Sequence, residues 1–410
     1  MTHAIAPVGL NVVQTPSEDV QHDVAQLSAT RLSATRLTLT NFRSYAHVRI
    51  EPGAAPVVLT GANGAGKTNL LEAISFLTPG SGLRRARLGD ISRRELGDEI
   101  GRPWAVAAII EGAQTPVRLG TGLENAHASK RQVHVDGSPE RALASLSNHF
   151  AAHWLTPQMD RLFLDGSQER RRFLDRLVFG FDPAHAGRIT GYTHAMRERS
   201  KLLSEGRFDD AWLSALEDTM ATRGAAVAAA RLDVAQRLAM VCENMDGPFP
   251  ASYLAIDGLA EQWLASLPAL EVEDRLRDAL KRSRGRDAEA NCVGGGLKGR
   301  LPHQSDLLVT HAAKNMEAAQ CSTGEQKMLL LGLVLAAARL SAQDEGRVPV
   351  LLLDEVAAHL DVKHREALFD QVLQLGCQAW FTGTDVELFA PLQAHAKFYQ
   401  VDAGCVFESD

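Results

Sequence analysis

The sequence predicts an α/β fold interrupted by a helical insertion, and three features of the chain indicate it. A glycine-rich turn at residues 61–68 separates an apolar run typical of a buried strand from a segment patterned as a helix. A second apolar run, at 348–353, ends in the acidic pair Asp354 and Glu355. Between these two regions, residues 166–290 carry apolar side chains at helical spacing among many Ala, Arg and Glu residues.

The composition is that of a globular protein with a sizeable core. The chain has 410 residues, of which 45% are hydrophobic and 23% charged, and this length predicts two or three domains. Its longest apolar run, at 328–338, is shorter than the roughly 20 residues that a membrane helix needs. The N-terminus lacks the basic start and long apolar segment of a secretory signal. We therefore expect a cytoplasmic protein without a membrane partner.

The cysteines argue against two kinds of stabilising site. They are scattered along the chain, and no two of them form a CxxC pair (Cys242, Cys292, Cys321, Cys377 and Cys405). This spacing is unlike that of a disulfide framework or a zinc site, and it fits a reducing compartment.

Changes in composition and hydrophobic pattern along the chain predict four segments. Residues 1–33 are polar and end in a tandem LSATR repeat, so they are interpreted as an N-terminal extension. Residues 34–164 mix short apolar runs with Gly, Pro and Asp, as the first half of an α/β head would. Residues 165–300 are the predicted helical lobe, which ends in a glycine-rich return loop. Residues 301–410 are the second half of the head.

The turn at 61–68 matches the phosphate-binding pattern GxxxxGK[ST] in the required context, after a strand and before a helix. Its glycines let backbone N–H groups converge on an anion, and the helix adds its positive end. Lys67 supplies a charge for the β and γ phosphates, and the Thr68 hydroxyl supplies a ligand for Mg²⁺. An ordinary turn is the alternative. The predicted nucleotide contacts here are Gly61, Ala62, Asn63, Gly64, Ala65, Gly66, Lys67, Thr68 and Asn69.

The acidic pair after the second strand completes the predicted chemistry. Asp354 is placed to hold Mg²⁺, either directly or through water, and Glu355 to polarise an attacking water. An apolar run followed by two acids is a weak signal by itself. It becomes specific when the phosphate-binding turn is in the same chain, so Glu355 and Lys67 are the predicted catalytic residues.

The polar turn CSTGEQK at 321–327 has two interpretations that both remain open. Ser322 and Glu325 have the spacing of a capping box at the start of an apolar helix. The same helix terminus, with Ser322 and Gly324 exposed, is also a second phosphate-binding surface. One nucleotide does not easily satisfy two such helix ends within a single head, whereas a second subunit can present one of them.

Taken in order, these elements resemble the ABC-type ATPase heads of the SMC family, and within it the RecF family. The resemblance covers almost the whole chain after residue 36. The stretches that carry it are LTLTNFRSY (37–45), GANGAGKTNLLEAISFL (61–77), LRRARLGD (83–90), WLTPQMDRLF (154–163), ERRRFLDRLVFGFDPAH (169–185), LPHQSDL (301–307), CSTGEQK (321–327), LLLDEVAAHLD (351–361) and FTGTD (381–385).

The resemblance implies a homodimer that forms on ATP and closes as a clamp on DNA, with duplex and single-strand junctions as candidate ligands. Each ATP and Mg²⁺ site would combine the loop of one subunit with Ser322 and Gly324 of the other. By the same resemblance, Arg43 would reach nucleotide phosphates and Asp361 would lie at the dimer seam. Gln158 would be a metal-site residue that connects the site to the lobe.

The resemblance also implies a role in recombinational DNA repair and replication. A protein of this family would act after DNA damage and in the SOS response, would help load a recombinase at gaps, and would work with RecO and RecR mediators.

The chain departs from the ABC pattern in two places, and the second departure predicts slow hydrolysis. The signature reads CSTGE in place of LSGGQ. No histidine follows the strand that ends near Phe381, where Thr382, Gly383 and Thr384 stand instead, so a contact to the γ-phosphate is missing. In addition, Gln304 occupies a position where many relatives carry arginine.

Other functions remain as alternatives. A nucleotide-switched assembly factor with negligible turnover would use the same site, so a weak DNA-stimulated ATPase activity stays an open question. A transporter subunit is disfavoured by the long spacing between Lys67 and Asp354, and a full SMC protein by the absence of long heptad arms.

Basic clusters predict where DNA would bind, although the net charge is −7. Contacts to phosphates alone would give a steep salt dependence and little sequence preference. Solvated helix faces are the alternative. The favoured residues are Arg84, Arg85, Arg87, Arg93 and Arg94, together with basic residues of the helical lobe.

Overall fold

The computed structural model describes residues 29–94, 101–112, 115–125, 128, 130–245, 247–290, 292–293, 299–344 and 346–409. In chain order its strands are β1 (Thr30–Arg31), β2 (Ser33–Phe42), β3 (Tyr45–Ile50), β4 (Val57–Thr60), β5 (Trp104–Glu111), β6 (Val117–Leu123), β7 (Gln132–Val135), β8 (Ser138–Glu140), β9 (Ala152–Leu155), β10 (Ser252–Asp257), β11 (Asp306–His311), β12 (Met316–Glu317), β13 (Arg347–Val348), β14 (Val350–Leu353), β15 (Ala379–Gly383), β16 (Lys397–Asp402) and β17 (Cys405–Ser409).

The α-helices are α1 (Lys67–Ser75), α2 (Leu88–Ile91), α3 (Ser167–Phe181), α4 (His185–Ser204), α5 (Asp210–Glu243), α6 (Leu259–Leu264), α7 (Ala269–Ala290), α8 (Thr323–Asp344) and α9 (Val362–Leu375). Short 3-10 turns connect several of them, including the turn at Pro157–Arg161 that follows β9. The mixture of helices and strands confirms the α/β class.

A six-stranded sheet with the order β17-β16-β4-β15-β14-β9 lies at the centre of the head. All neighbours in it are parallel except β16 and β17, which pair antiparallel. Strands β4, β9, β14 and β15 are buried at every position, which explains why they are short apolar runs without alternation. Because these four strands are parallel, their carboxyl ends meet at one edge of the sheet.

A second sheet, of order β3-β2-β5-β6-β7-β8, is antiparallel throughout and shares a core with α1. Burial alternates along β5, so one face points into that core. Phe42, Phe76 and Trp104 meet edge to face there, with ring centroids 5.5 to 6.1 Å apart. The helix that follows the glycine turn is therefore held between the two sheets.

Helix α8 is a core helix, as its continuous apolar run predicted. All its residues from Leu329 to Ala338 are buried, and their apolar side chains pack with β14, β15 and α9 in one cluster. Among the residues that the structure describes, no helix combines the length and apolarity needed to cross a bilayer.

Helices α4 to α7 pack around a smaller apolar cluster of their own, formed by residues such as Tyr192, Met220 and Leu276. Helix α3, in contrast, contributes to the same cluster as α8. The helical insertion thus contacts the head through α3 and through the C-terminal half of α5, whose Val234, Leu238 and Cys242 belong to the same cluster. The division of the chain at residues 164 and 300 stays a prediction.

Buried ion pairs stabilise this helical region. Arg199 is fully buried and donates to Glu217 and Asp287, which joins α4, α5 and α7. Arg231 makes a bidentate pair with Asp175, which also contacts His185. Arginines committed to buried carboxylates in this way are not available to an external partner.

The end of the predicted N-terminal extension belongs to the fold. Thr30 and Arg31 form β1, which pairs in parallel with Arg347 and Val348 of β13. The rest of the predicted extension, residues 1–28, lies outside the described residues.

Candidate functional site

The carboxyl edge of the central sheet gathers the residues that the sequence singled out. Leu353 of β14 pairs with Leu155 on one side and with Phe381 on the other, and Gly383 of β15 pairs with Thr60. The glycine turn, the Gln158 turn, the acidic pair and the FTGTD segment therefore start from adjacent strand ends. In doubly wound sheets, ligands bind at this edge.

Two glycines of the turn occupy positions that a side chain could not share. Gly61 has φ +144° and a Cβ there would lie 2.2 Å from the carbonyl oxygen of Val401. Gly66 has φ +118° and its Cβ would meet Ser44 and Tyr45 at 2.8 Å. The Tyr45 hydroxyl also donates to the Gly66 carbonyl, at 3.0 Å.

The turn leads into the N-terminus of helix α1, which is free to bind an anion. Helix α1 begins at Lys67, and no side chain caps its first N–H groups. Residues 62–64 are exposed, whereas Gly66 and Lys67 are buried. The N–H groups and the positive end of the helix dipole thus lie beneath an open loop, as phosphate binding requires.

Lys67 folds back over its own loop. Its ammonium donates to the carbonyl oxygens of Gly61 and Ala62, at 2.7 and 3.0 Å. Burial lowers the pKa of Lys67, while the nearby carboxylates of Glu355 and Asp354 act in the opposite direction. A cation held only by neutral carbonyls can exchange them for a phosphate without breaking an ion pair.

Thr68 and Asp354 join the turn to the acidic pair. The Thr68 hydroxyl donates to Asp354 Oδ1 at 2.8 Å, across 286 positions of sequence. Asp354 is nearly buried, and its Oδ1 also accepts the hydroxyl of Thr382 at 2.8 Å. Its Oδ2 makes no hydrogen bond within the described part of the chain.

Glu355 has an unusual backbone. Its φ is +53°, in the left-handed region, where a non-glycine residue costs roughly 1 to 2 kcal/mol. Its N–H donates to the Thr382 hydroxyl oxygen at 2.8 Å. The sequence reasoning considered Thr382 only as a replacement for histidine and missed this contact. A polar residue at the end of a buried strand next to the acidic strand was the signal that could have found it.

The residues present fit a nucleotide with a divalent cation. Mg²⁺ prefers oxygen ligands and binds through one or two carboxylates together with phosphates and water. The Thr68 hydroxyl and the Asp354 carboxylate are already in contact beside the loop. Within the described residues no group of three or more His, Cys, Asp and Glu side chains could hold a metal ion. A cation here would therefore depend on the phosphates for much of its coordination.

Arg43 lies beside the loop, but its guanidinium is engaged elsewhere. It forms a bidentate pair with the fully buried Glu72 of α1, at 2.7 and 2.8 Å, and donates to the carbonyl of Asp90. Asn69 of the same helix donates to the Ser44 hydroxyl and accepts from Arg84. The predicted contact between Arg43 and phosphate would require this pair to open.

Gln158 lies in the turn after β9 and is exposed. Two residues on, Asp160 pairs with Lys327 at 3.0 Å, and the side chain of Lys327 is only 8% exposed. Since Lys327 belongs to the first turns of α8, this ion pair joins the Gln158 turn to the segment at 321–327.

The structure confirms the capping box at the start of α8. The Ser322 N–H and hydroxyl both donate to Glu325 Oε2 at 2.9 Å, and the Glu325 N–H donates back to the Ser322 hydroxyl. The side-chain hydrogen bond from Lys314, followed by those from Ser322, lowers the pKa of Glu325 to about 2. Ser322 and Gly324 are exposed, so this surface is also open to a ligand from outside the chain.

Asp361 caps helix α9. Its carboxylate accepts from the His364 N–H at 2.9 Å, and this backbone hydrogen bond is the main reason that the pKa of Asp361 is lowered. The side chain of Asp361 is 65% exposed, and its place at a dimer seam stays a prediction.

The basic segment after α1 divides into engaged and unengaged arginines. Arg84 binds Glu72 and Asn69, and Arg85 binds Glu169 of α3 at 2.8 Å. The guanidinium of Arg87 makes no hydrogen bond or ion pair to the described residues. Glu95 and its neighbours to residue 100 lie outside the described residues.

Arg87 lines a cleft of about 370 Å³ together with the exposed Lys130 and Arg141. Its floor includes the buried Arg131, whose guanidinium donates only to neutral oxygens, among them the carbonyls of Thr78 and Gly80. Burial without a carboxylate partner lowers the pKa of Arg131 to about 10. The sequence reasoning missed this cleft because its basic residues come from separate segments.

Comparisons with known proteins show which family the chain resembles. The family model described as "RecF/RecN/SMC N terminal domain" matches residues 33–406. A curated protein of Allorhizobium ampelinum, "DNA replication and repair protein RecF", is 49% identical over 89% of this chain and 96% of its own length. A protein of the same description from Caulobacter sp. is 49% identical over 88% of this chain and 94% of its own.

A solved structure described as "the recombination mediator protein RecF-ATPrS in RecFOR pathway" superposes with a TM-score of 0.81, covering 94% of this chain and all of that one. At 19% identity this match shows a shared fold. The family model spans the glycine turn, the acidic pair and the signature segment alike, and the curated relatives match over nearly their full length. The chain therefore belongs to the RecF family of SMC-type ATPase heads.

Proposed function

We propose that this chain is an ATP-dependent DNA-binding protein of recombinational DNA repair and replication. The observation that carries the proposal is the contact between Thr68 and Asp354, which brings the phosphate-binding loop and the acidic strand into one site. The names of the curated relatives, which describe DNA replication and repair proteins, support the assignment.

The site can bind and position a triphosphate. Free N–H groups at the start of α1 and the ammonium of Lys67 bind phosphate oxygens. Thr68 and Asp354 would hold the cation, which would neutralise charge that develops on the β and γ phosphates. Glu355 orients a water toward the terminal phosphorus and accepts its proton as the new P–O bond forms, while the bond from that phosphorus to the bridging oxygen breaks and ADP leaves. The left-handed backbone of Glu355 sets the direction of its Cα–Cβ bond.

A second copy of the chain completes the site in this proposal. The signature surface with Ser322 and Gly324 is exposed and begins a helix. The N–H groups of Thr323 and Gly324, which take no part in the capping box, can therefore approach the triphosphate of a partner subunit. Binding energy from the nucleotide then closes two heads into a clamp, and hydrolysis reopens it. Asp361, exposed at the start of α9, lies in the seam of that dimer.

Sedimentation velocity of the purified protein tests this mechanism. We expect a monomer without nucleotide and a dimer with ATP and Mg²⁺, and we expect short duplex DNA to co-sediment with the dimer. A chain that stays monomeric at micromolar concentration with saturating ATP, Mg²⁺ and DNA would contradict the shared site. Lys67→Ala serves as the control, because it removes from the loop the ammonium group that would bind the phosphates.

The partners follow from the family. The matched solved structure is named as a recombination mediator in the RecFOR pathway. We propose that this chain likewise acts with RecO-type and RecR-type mediators to help load a recombinase at gaps. A pull-down with purified mediators, with and without ATP, tests the partnership; binding that needs ATP and is lost in Lys67→Ala is the expected result.

A nucleotide-switched assembly factor with negligible turnover is the second candidate. The segment Thr382, Gly383 and Thr384 favours it, because no histidine stands there to contact a γ-phosphate. Both candidates require ATP-dependent dimerisation, and the rate of ATP turnover separates them.

A further inference from the structure

Thr382 makes two contacts that tie the acidic pair together. Its hydroxyl oxygen lies 2.8 Å from Asp354 Oδ1 and 2.8 Å from the backbone nitrogen of Glu355. The side chain is 1% exposed, so water does not compete for either bond. Thr382 occupies the carboxyl end of β15, where its neighbours in the sheet fix its position.

The proton count of a hydroxyl matches this arrangement. A threonine hydroxyl has one proton to donate and two lone pairs that accept, whereas an ionised carboxylate only accepts and an amide N–H only donates. The Thr382 proton therefore goes to Asp354, and a lone pair receives the Glu355 N–H. No other pattern satisfies both contacts while Asp354 is ionised.

Each contact fixes a different property of the acidic pair. On Asp354, two hydroxyls occupy Oδ1, so Oδ2 is the oxygen that remains for another ligand. On Glu355, the bond holds the N–H of a residue whose φ is +53°, a conformation that the chain would otherwise leave readily. The direction of the Glu355 Cα–Cβ bond, from which the carboxylate extends, follows from that backbone conformation.

We propose that Thr382 is a positioning residue, whose hydroxyl sets the Asp354 carboxylate for the metal and the Glu355 carboxylate for the attacking water at the same time. The proposal rests on the proposed function, because only in that function do the two acids have separate roles. It assigns to the FTGTD segment a task that does not require a histidine.

Hydrogen exchange on the nucleotide-free protein gives a test that does not depend on activity. Thr382→Val keeps the shape and removes the hydroxyl, and we expect the backbone amide of Glu355 to exchange about tenfold faster. Thr121→Val is the matched control, since Thr121 is a buried threonine of the second sheet whose hydroxyl donates to the Gln132 carbonyl. It should leave exchange at Glu355 unchanged.

Thr382→Ser and Thr382→Ala form a second pair of variants that differ by one hydroxyl. This pair tests the proposal if the valine variant does not fold. We expect serine to restore both the slow exchange at Glu355 and the turnover of ATP to within about twofold of the parent. Alanine should lower the kcat for ATP about 10- to 100-fold while KM changes less than about threefold, because misplaced catalytic groups affect the reaction more than binding.

The outcomes separate the two proposals. Equal exchange at Glu355 in the serine and alanine variants, or in the valine variant and the parent, would overturn the positioning role. If the parent itself shows no turnover, hydrolysis in the proposed function fails, yet the exchange experiment still decides whether Thr382 holds Glu355. Faster exchange with an unchanged kcat in the alanine variant would also overturn the proposal, since the contact would then be structural only.

Discussion

Arg43 and Glu72 form a bidentate ion pair beside the phosphate-binding loop, with nitrogen to oxygen distances of 2.7 and 2.8 Å. Glu72 is fully buried in α1 and also accepts from Arg84. Arg43 has φ +52°, so the ion pair holds a left-handed residue against the helix that follows the loop. The helix and the β2–β3 turn thus share one buried carboxylate.

Removing the charge of Glu72 should destabilise the protein. We expect Glu72→Gln to lower the free energy of unfolding by about 3 kcal/mol, because two guanidinium groups lose their buried counter-ion. Denaturation in urea measures the change. Glu51→Gln is the control, since Glu51 also binds two arginines, Arg36 and Arg49, but on the exposed surface. Equal effects of the two substitutions would show that burial of Glu72 does not increase its contribution to the free energy of unfolding.

Replacement of Glu355 should separate binding from hydrolysis. Glu355→Gln keeps the size of the side chain but cannot accept a proton, so we expect turnover of ATP to fall about 100-fold or more. The ATP-bound dimer should persist, as sedimentation would show. Glu366→Gln, on the exposed face of α9, should change neither measurement. A nucleotide-switched assembly factor predicts little effect of Glu355→Gln on dimer lifetime.

The ion pair between Lys327 and Asp160 should couple the Gln158 turn to the signature helix. In Lys327→Met, Asp160 loses its cation, and its other carboxylate oxygen is already buried without a partner. We expect ATP to bind the monomer with unchanged affinity but the ATP-dependent dimer to form about tenfold more weakly, roughly 1.4 kcal/mol. Lys397→Met, which breaks the exposed pair with Glu408, is the control. Equal dimerisation in both variants would exclude the coupling.

The basic cleft should provide part of the DNA contact. A triple alanine variant at Arg87, Lys130 and Arg141 should lower the slope of log K against log salt by about 2 to 3, since each phosphate contact contributes about 0.9. Filter binding of duplex DNA at several salt concentrations measures the slope. Arg84 and Arg85, which are bound to Glu72 and Glu169, should contribute less when replaced in a double variant. A larger decrease of the slope in the double variant than in the triple variant would show that Arg84 and Arg85 contact the DNA instead.

Glu261 should make stability depend on pH. It is 2% exposed, neither carboxylate oxygen has a hydrogen bond within the described residues, and burial raises its pKa. The folded state therefore binds a proton more tightly than the unfolded state, so stability is greatest below the unfolded pKa of about 4.3 and falls as pH rises through the folded value. Glu261→Gln should unfold at higher urea than the parent at neutral pH and lose this advantage near pH 4.

The local parts of the site were predictable because they depend on residues close in sequence. The glycines of 61–68 and the helix after them identify a phosphate loop whatever the rest of the fold is. In the same way, Ser322 with Glu325 identifies a capped helix. The buried strands were recognisable because each is an apolar run with no alternation. Their shared sheet edge, and with it the proximity of Asp354 and Glu355 to the loop, follows from the parallel pairing of strands.

The roles of the arginines could not be predicted in the same way. Arg84, Arg85 and Arg87 are neighbours in sequence, yet two bind acids on α1 and α3 and the third lines a cleft. Lys130 and Arg141 reach that cleft from the segments just before β7 and just after β8. Charge in the sequence shows which residues can bind a phosphate but not which already have a carboxylate partner.

By itself, the sequence determined that this chain builds a phosphate loop, an acidic strand end and a helical insertion, since local spacing and hydrophobicity decide each of them. Only the tertiary structure decided that Thr382 donates to Asp354 and accepts from Glu355, and that Arg43 is bound to Glu72. The physical reason is that a hydrogen bond or ion pair between distant residues depends on where the strands and helices come together, to within a fraction of an ångström.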